Sequence, residues 1–283
     1  MTFPVKAVVL DWAGTMIDHG SRAPLVALRA VFADAGVPLS EAEARADMGR
    51  AKRDHIRAIL AMPRIAAQWG AVHGAVPAEG DVTALHDAVE PMMQGAAKQC
   101  ATLIPGAAAL VERLRAAGIR IGSCTGYTRP MMIDILPLAA AQGYAPDVVI
   151  CSGETLAGRP SPLMLWQAMV DLGVWPAAAC VKVDDATVGI GEGRAAGTWT
   201  VGVAASGNGV GLDHEALVAL APDERERRVA DAAAALREAG ADYVVDSVAD
   251  LWPVIEMIAK RIEAGEAPPA RRSVKMRAAR DCP

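Results

Sequence analysis

Several absences narrow the function of this chain. The five cysteines (Cys100, Cys124, Cys151, Cys180 and Cys282) are odd in number and none forms a CxxC pair. They read as small buried hydrophobes of a reducing compartment, not as a disulfide framework. His19, His73, His86 and His214 show no zinc spacing. No apolar run approaches membrane-spanning length, which leaves no membrane partner. Asp11 follows the N-terminus too closely to leave room for a signal peptide, so the expected setting is the cytoplasm. There is no surplus of positive charge either. With 28 Lys and Arg against 33 Asp and Glu, the net charge is −5, which argues against a nucleic-acid partner. A small anionic substrate stays open, because a local site can be positive in an acidic protein.

The chain does have bulk and pattern. Its 283 residues suffice for one large domain or two smaller ones, and 53% of them are hydrophobic, much of that alanine. Six short apolar runs stand out: Val5–Leu10, Ile119–Cys124, Val148–Cys151, Cys180–Val183, Thr198–Val203 and Tyr243–Val245. They are rich in β-branched residues and alternate with helical patterns. That is the signature of an α/β fold, a Rossmann-like doubly wound parallel sheet covered by helices. In such sheets ligands bind beyond the carboxyl ends of the strands. The rule directs attention to Asp11, Thr125, Arg159 and the pair Asp184–Asp185.

Between the first two runs lie some eighty residues with helical patterning and no convincing strand, too many for a simple crossover. Ser40 and Glu43 fit a capping box opening a helix towards Met48, and Pro77 and Gly80 open another helical segment. The expected organisation is a discontinuous α/β core (1–18 and 101–262), an inserted helical cap (19–100) and a flexible tail (263–283).

Asp11 ends the first run and is followed by a turn on Gly14, so its carboxylate can bind a hard divalent cation and attack an electrophile. Thr125 can hold a phosphoryl oxygen, Arg159 can neutralise substrate charge, and Asp184 with Asp185 suits Mg²⁺. Each residue alone has an ordinary reading as a turn cap, a strand-end threonine or a solvated arginine. Four of them in this order at four strand ends are improbable as accidents. Gly189-Ile-Gly191-Glu-Gly193 lies too far past its strand to be a dinucleotide fingerprint. Gly207-Asn-Gly209-Val-Gly211 reads as a flexible loop.

Asp11-Trp-Ala-Gly-Thr15, Thr125, Arg159 and Asp184–Asp185 together resemble the four motifs of the haloacid dehalogenase superfamily. The resemblance implies a nucleophilic Asp11, an aspartyl-phosphate intermediate and one Mg²⁺ per subunit, held by Asp11, the Ala13 carbonyl and Asp185. It also implies a cap at the helical insertion. Three departures matter. Ala13 stands where most phosphatases of the superfamily carry a second aspartate, the proton donor to the leaving oxygen, and losing it costs an ester hydrolase ~10²–10⁴-fold. Gly189 stands where many members have a further acid, which puts the support of the metal in doubt, and Ala186 removes a hydroxyl some relatives have.

The cap supplies a different device. In Met48-Gly-Arg-Ala-Lys52-Arg-Asp-His55, Lys52 and His55 are three apart and share a helix face. A lysine can condense with an aldehyde, and the resulting iminium is an electron sink for breaking an adjacent bond to carbon. These residues, with Asp11–Thr15, Ser123-Cys-Thr-Gly-Tyr-Thr-Arg129 and Gly158-Arg-Pro, resemble the phosphonoacetaldehyde hydrolase family from about Lys6 to Ile258. The resemblance implies Lys52 as the Schiff-base residue, Met48, His55 and Tyr127 around the aldehyde, Trp12 between the two halves of the site and Ser21 as a hinge or contact. It implies a phosphonate substrate and a homodimer. The alternative is a general phosphatase or phosphomutase of the same superfamily, against which Ala13 and Lys52 speak.

Overall fold

All six apolar runs become strands, and they form one parallel sheet. The computed structural model describes residues 3–269. Its strands are β1 (Ala7–Leu10), β2 (Arg120–Thr125), β3 (Val148–Cys151), β4 (Cys180–Asp184), β5 (Trp199–Val203) and β6 (Tyr243–Val245), in the order β3-β2-β1-β4-β5-β6. β1 lies between β2 and β4, with Leu10 in register with Ser123 on one side and Val183 on the other. Alternate residues of β1 serve opposite faces. Val8 and Leu10 enter the larger core, while Ala7 and Val9 enter a second one with Met164, Leu165 and Ala168. Because both faces are covered, the strands read as continuous apolar runs.

Five of the six helices between β1 and β2 form the insertion: α1 (Arg22–Asp34), α2 (Glu41–Arg45), α3 (Lys52–Leu60), α4 (Pro63–His73) and α5 (Glu79–Gln99). The remaining helices, α6 (Ala107–Ala116), α7 (Arg129–Ala141), α8 (Leu163–Leu172), α9 (Thr187–Ala196), α10 (His214–Ala219), α11 (Pro222–Glu238) and α12 (Leu251–Glu263), belong to the sheet layers. In the insertion α5 buries Val82, Leu85, Val89, Met93 and Ala97, one stripe at helical spacing, and α1 buries Ala27, Leu28, Val31 and Phe32. Asp18 begins α1 by accepting from the Arg22 and Ala23 amides at 3.0 and 2.9 Å.

The Ser40–Glu43 capping box is present, but its helix is shorter than the pattern suggested. α2 stops at Arg45 because the backbone turns extended at Ala46 and left-handed at Asp47 (φ 57°) and Gly49 (φ 92°). Met48 therefore sits in a bend facing the sheet, not on a helix. The glycine-rich segment 207–211 is another correction: its backbone is packed, not loose. A Cβ on Gly207 would lie 2.6 Å from the Asp185 side chain, one on Gly209 2.7 Å from Ala232, and one on Gly211 2.6 Å from the Arg45 guanidinium. These glycines answer three close approaches.

No helix among the described residues is long and apolar enough to cross a membrane, and the four cysteines they include are free thiols. α12 reaches Glu263, the first residue of the expected tail. Positions 270–283, including Cys282, lie outside the described residues.

Candidate active site

Strand register brings four sequence-predicted residues to one place. Asp11 directly follows β1, Thr125 closes β2, Asp184 closes β4 and Asp185 follows it. The Asp11 amide donates to the Val183 carbonyl at 3.0 Å, and the Tyr127 amide donates to Thr125 Oγ1 at 3.1 Å. Gly14 (φ 81°) lets the chain after β1 turn under Asp185. A Cβ there would lie 2.3 Å from that carboxylate.

Above the strand ends sits the bend before α3. Gly126 admits it: a Cβ at that position would meet the carbonyls of Arg50 and Gly49 at 3.2 and 3.3 Å. The space between is a small cavity. Its core wall is Asp11, Ala13, Thr125, Gly126, Tyr127, Arg159, Asp185 and Ala186. Its other wall is Ser21, Pro24, Met48, Gly49, Arg50 and Lys52 from the insertion. Lys52 is only 5% exposed, Asp11 and Asp185 6% each, and Thr125 2%.

Arg159 organises the acids. Its Nη1 lies 2.8 Å from Asp11 Oδ1 and 3.4 Å from Asp184 Oδ2, its Nε 3.1 Å from Glu192, and Nη2 donates to the Cys124 carbonyl. Behind it Lys182 Nζ stands 2.9 Å from Asp184 and 3.3 Å from Glu192, all fully buried. Burial alone would raise Asp184, but Arg159 and Lys182 outweigh it and hold the group below the usual carboxylate range. Asp11 is pushed up to about 6 by burial and by Asp184. Asp185 is driven well upward by burial, then by Asp11 and Asp184, opposed by a hydrogen bond from the Asn208 amide at 2.7 Å. Oxygens of Asp11, Asp184 and Asp185 all lie within 4.8 Å of one another. Three crowded carboxylates, two of them reluctant to ionise together, fit a hard divalent cation that would relieve their repulsion.

On the opposite wall Lys52 has no ion pair among the described residues. Burial alone lowers its pKa to about 8. His55, one turn further along α3, is fully buried, and burial followed by Lys52 pushes it down to about 3, so it is neutral. Burial and then Asp18 push the Tyr127 hydroxyl well upward, so it stays protonated.

A model of haloacid dehalogenase-like hydrolases matches residues 5–197. Phosphonoacetaldehyde hydrolase of Paraburkholderia xenovorans (strain LB400) is 48% identical over 264 residues, covering 93% of this chain and 99% of the relative. The enzyme of that name from Nitratidesulfovibrio vulgaris (strain DSM 19637 / Miyazaki F) is also 48% identical, over 94% of this chain and 95% of its own. The chain belongs to the phosphonoacetaldehyde hydrolase family. It is a haloacid dehalogenase-like hydrolase. A crystal structure of a phosphonoacetaldehyde hydrolase-like protein from Oleispira antarctica superposes with a TM-score of 0.92 at 43% identity, covering 94% of this chain and 96% of that one.

Not every residue that the family resemblance named reaches the cavity. Met48, Lys52, Ser21 and Tyr127 line it, as do Asp11, Ala13, Thr125, Arg159 and Asp185. Trp12 does not: it is wholly buried in the main core and packs on Tyr144 with ring centroids 4.8 Å apart. His55 and Asp184 lie behind the lining. The missing acid at position 189 also has a steric account. A Cβ at Gly189 would fall 2.0 Å from the Asp184 carboxyl group, so the Asp184 carboxylate already fills the space a side chain at 189 would need. Sequence reasoning missed Arg50 and Pro24 on the insertion wall, and Lys182 with Glu192 in the ion network. Lys182 was hidden inside the run Val181-Lys-Val183, where its one signal was a charge interrupting an apolar strand.

Proposed function

We propose that the chain hydrolyses the carbon–phosphorus bond of phosphonoacetaldehyde, giving acetaldehyde and phosphate, as a step of phosphonate degradation. The observation that carries the reading is the pairing across one cavity of a buried, unpartnered Lys52 amine with the Asp11 carboxylate at the strand ends. The 48% identity to relatives bearing that enzyme's name supports it.

The neutral amine of Lys52 attacks the aldehyde carbon, and uptake of one proton with loss of water leaves a protonated imine. A pKa near 8 leaves about a quarter of Lys52 neutral at pH 7.5, against roughly one part in a thousand at the ordinary value, so attack needs little deprotonation. Asp11 then attacks phosphorus in line. The carbon–phosphorus bond breaks and its electron pair passes into the imine, giving an enamine and an aspartyl phosphate. Protonation at carbon and hydrolysis of the imine release acetaldehyde and free Lys52. Water hydrolyses the aspartyl phosphate and frees Asp11. The leaving group is carbon and its electrons have an acceptor, so no acid is needed at position 13, which matches Ala13.

Thr125 and Arg159 bind phosphoryl oxygens, the latter while holding Asp11. Met48 and Tyr127 shape the aldehyde end, and neutral His55 backs Lys52. Asp11, the Ala13 carbonyl and Asp185 would hold Mg²⁺, with Asp184 supporting them. When bound, the cation supplies charge neutralisation at the phosphoryl group. The core is 1–18 with 101–262, and 19–100 is the cap that shields the imine from water. We place the enzyme in the cytoplasm, as a homodimer. Exposed Trp166, Val170 and Trp175, on and just after α8, support a subunit contact on the core.

A coupled acetaldehyde assay with and without Mg²⁺ tests the activity, and borohydride trapping with substrate tests the imine. Turnover of ordinary phosphate esters in place of phosphonoacetaldehyde, or a trapped adduct on a residue other than Lys52, overturns the reading.

A further inference from the structure

The packed loop between β5 and α10 faces two ways. Towards the core, the Asn208 amide donates to Asp185 Oδ2 at 2.7 Å and Ser206 Oγ to the Gly14 carbonyl at 2.9 Å. Towards the insertion, the Asn208 side chain meets Arg45 of α2. Arg45 Nη1 donates to Asn208 Oδ1 at 3.0 Å and to the Gly20 carbonyl at 2.9 Å. Its Nη2 donates to the Gly211 carbonyl at 2.7 Å, and its Nε to Glu41 at 2.8 Å. Asn208 Nδ2 returns a bond to the Arg45 carbonyl at 3.4 Å. One guanidinium, its side chain 12% exposed, thus ties together α2, the linker before α1 and the loop that touches Asp185. The Gly211 position, where a Cβ would strike that guanidinium, is shaped to receive it.

We infer that Arg45 is a positioning residue for the metal acid: acting through Asn208, it fixes the amide that holds Asp185, and so links the seating of the insertion to the grip on a divalent cation. The inference rests on the reading of Asp11, Asp184 and Asp185 as a cation site. The physical reason is crowding. Among three carboxylates within 4.8 Å, a correctly aimed N–H keeps Asp185 turned towards its neighbours, and that amide belongs to a residue whose own side chain, among the described residues, bonds to Arg45 alone. Coupling of this kind is reciprocal: whatever favours the cation favours the seated insertion.

The test is Mn²⁺ affinity of the substrate-free protein, read by electron paramagnetic resonance of free Mn²⁺. Arg45→Ala and Asn208→Ala, the second of which keeps the backbone amide and removes only the side-chain bonds to Arg45, should each weaken binding about tenfold. The double variant should be no weaker than either single one, because both break the same link. Arg22→Ala, which removes the exposed ion pair of Arg22 with Asp213 at 2.6 Å beside the same loop, should leave affinity unchanged. Wild-type affinity in both single variants, multiplying losses in the double one, or an equal loss in Arg22→Ala overturns the link. Wild-type protein that binds no Mn²⁺ overturns the cation site itself, and the link with it. Should Arg45→Ala fail to fold, Asn208→Ala alone decides.

Discussion

Two buried lysines of this chain are driven in opposite directions. Lys182, inside β4, is raised above its ordinary range: burial and Arg159 push it down, but Asp184 and Glu192 at 2.9 and 3.3 Å outweigh them. Lys52, at the start of α3, meets no acid among the described residues and is lowered to about 8 by burial alone. Burial by itself therefore does not say what a lysine is for. Its partners decide whether it stays a fixed charge that arranges carboxylates or becomes an amine that can attack.

The contrast can be broken from either end. The largest effect is expected from Lys52→Arg, which keeps a cation and removes the nucleophilic amine. The rate of acetaldehyde release should fall about 10⁴-fold or more, with borohydride adducts lost, while Mn²⁺ binding persists. Next is Lys182→Met. Asp184 and Glu192 lose one of the two cations they share and leave part of their charge uncompensated in the core, so stability should drop by about 3–5 kcal/mol in urea unfolding at neutral pH. An unchanged midpoint would mean that Lys182 is dispensable to the ion network. A smaller effect should turn one lysine towards the other. Met48→Glu places an acid in the Lys52 cavity and should raise its pKa by about one unit, roughly 1.4 kcal/mol. A raised value needs higher pH for the neutral amine, so the pH dependence of trapping acetaldehyde with borohydride should shift upward from its midpoint near 8. The smallest effect belongs to His55→Asn. A ring already neutral, with its pKa near 3, carries no charge to lose, so the rate should fall less than about tenfold and the pH profile keep its shape. A loss nearer 10³ would mean that His55 takes part in the chemistry at Lys52.

What the sequence made legible follows the same division. The strands were readable because a parallel sheet covered on both faces needs unbroken apolar runs, and the observed ends lie within two residues of those expected. Asp11, Thr125, Arg159 and Asp185 were readable because strand ends are where such sheets act. Lys182 was not, since an interior charge looks like an interruption until its partners, placed by the fold, stand beside it. The early end of α2 was invisible because Asp47 adopts a left-handed conformation held by its surroundings, and nothing in its residue type demands that. The glycines of 207–211 suggested looseness, because sequence shows a missing side chain but not the neighbour that forbids one.

Gly189 and Asp184 share one volume, and this limits how such a site can change over time. An acid gained at 189 while Asp184 remains has nowhere to go, so that mutation should be purged at the level of folding before any question of catalysis arises. The opposite order, with 184 emptied first, passes through a protein that folds but has a depleted acid cluster. Moving the acid from 184 to 189 therefore requires a passage through weakened activity.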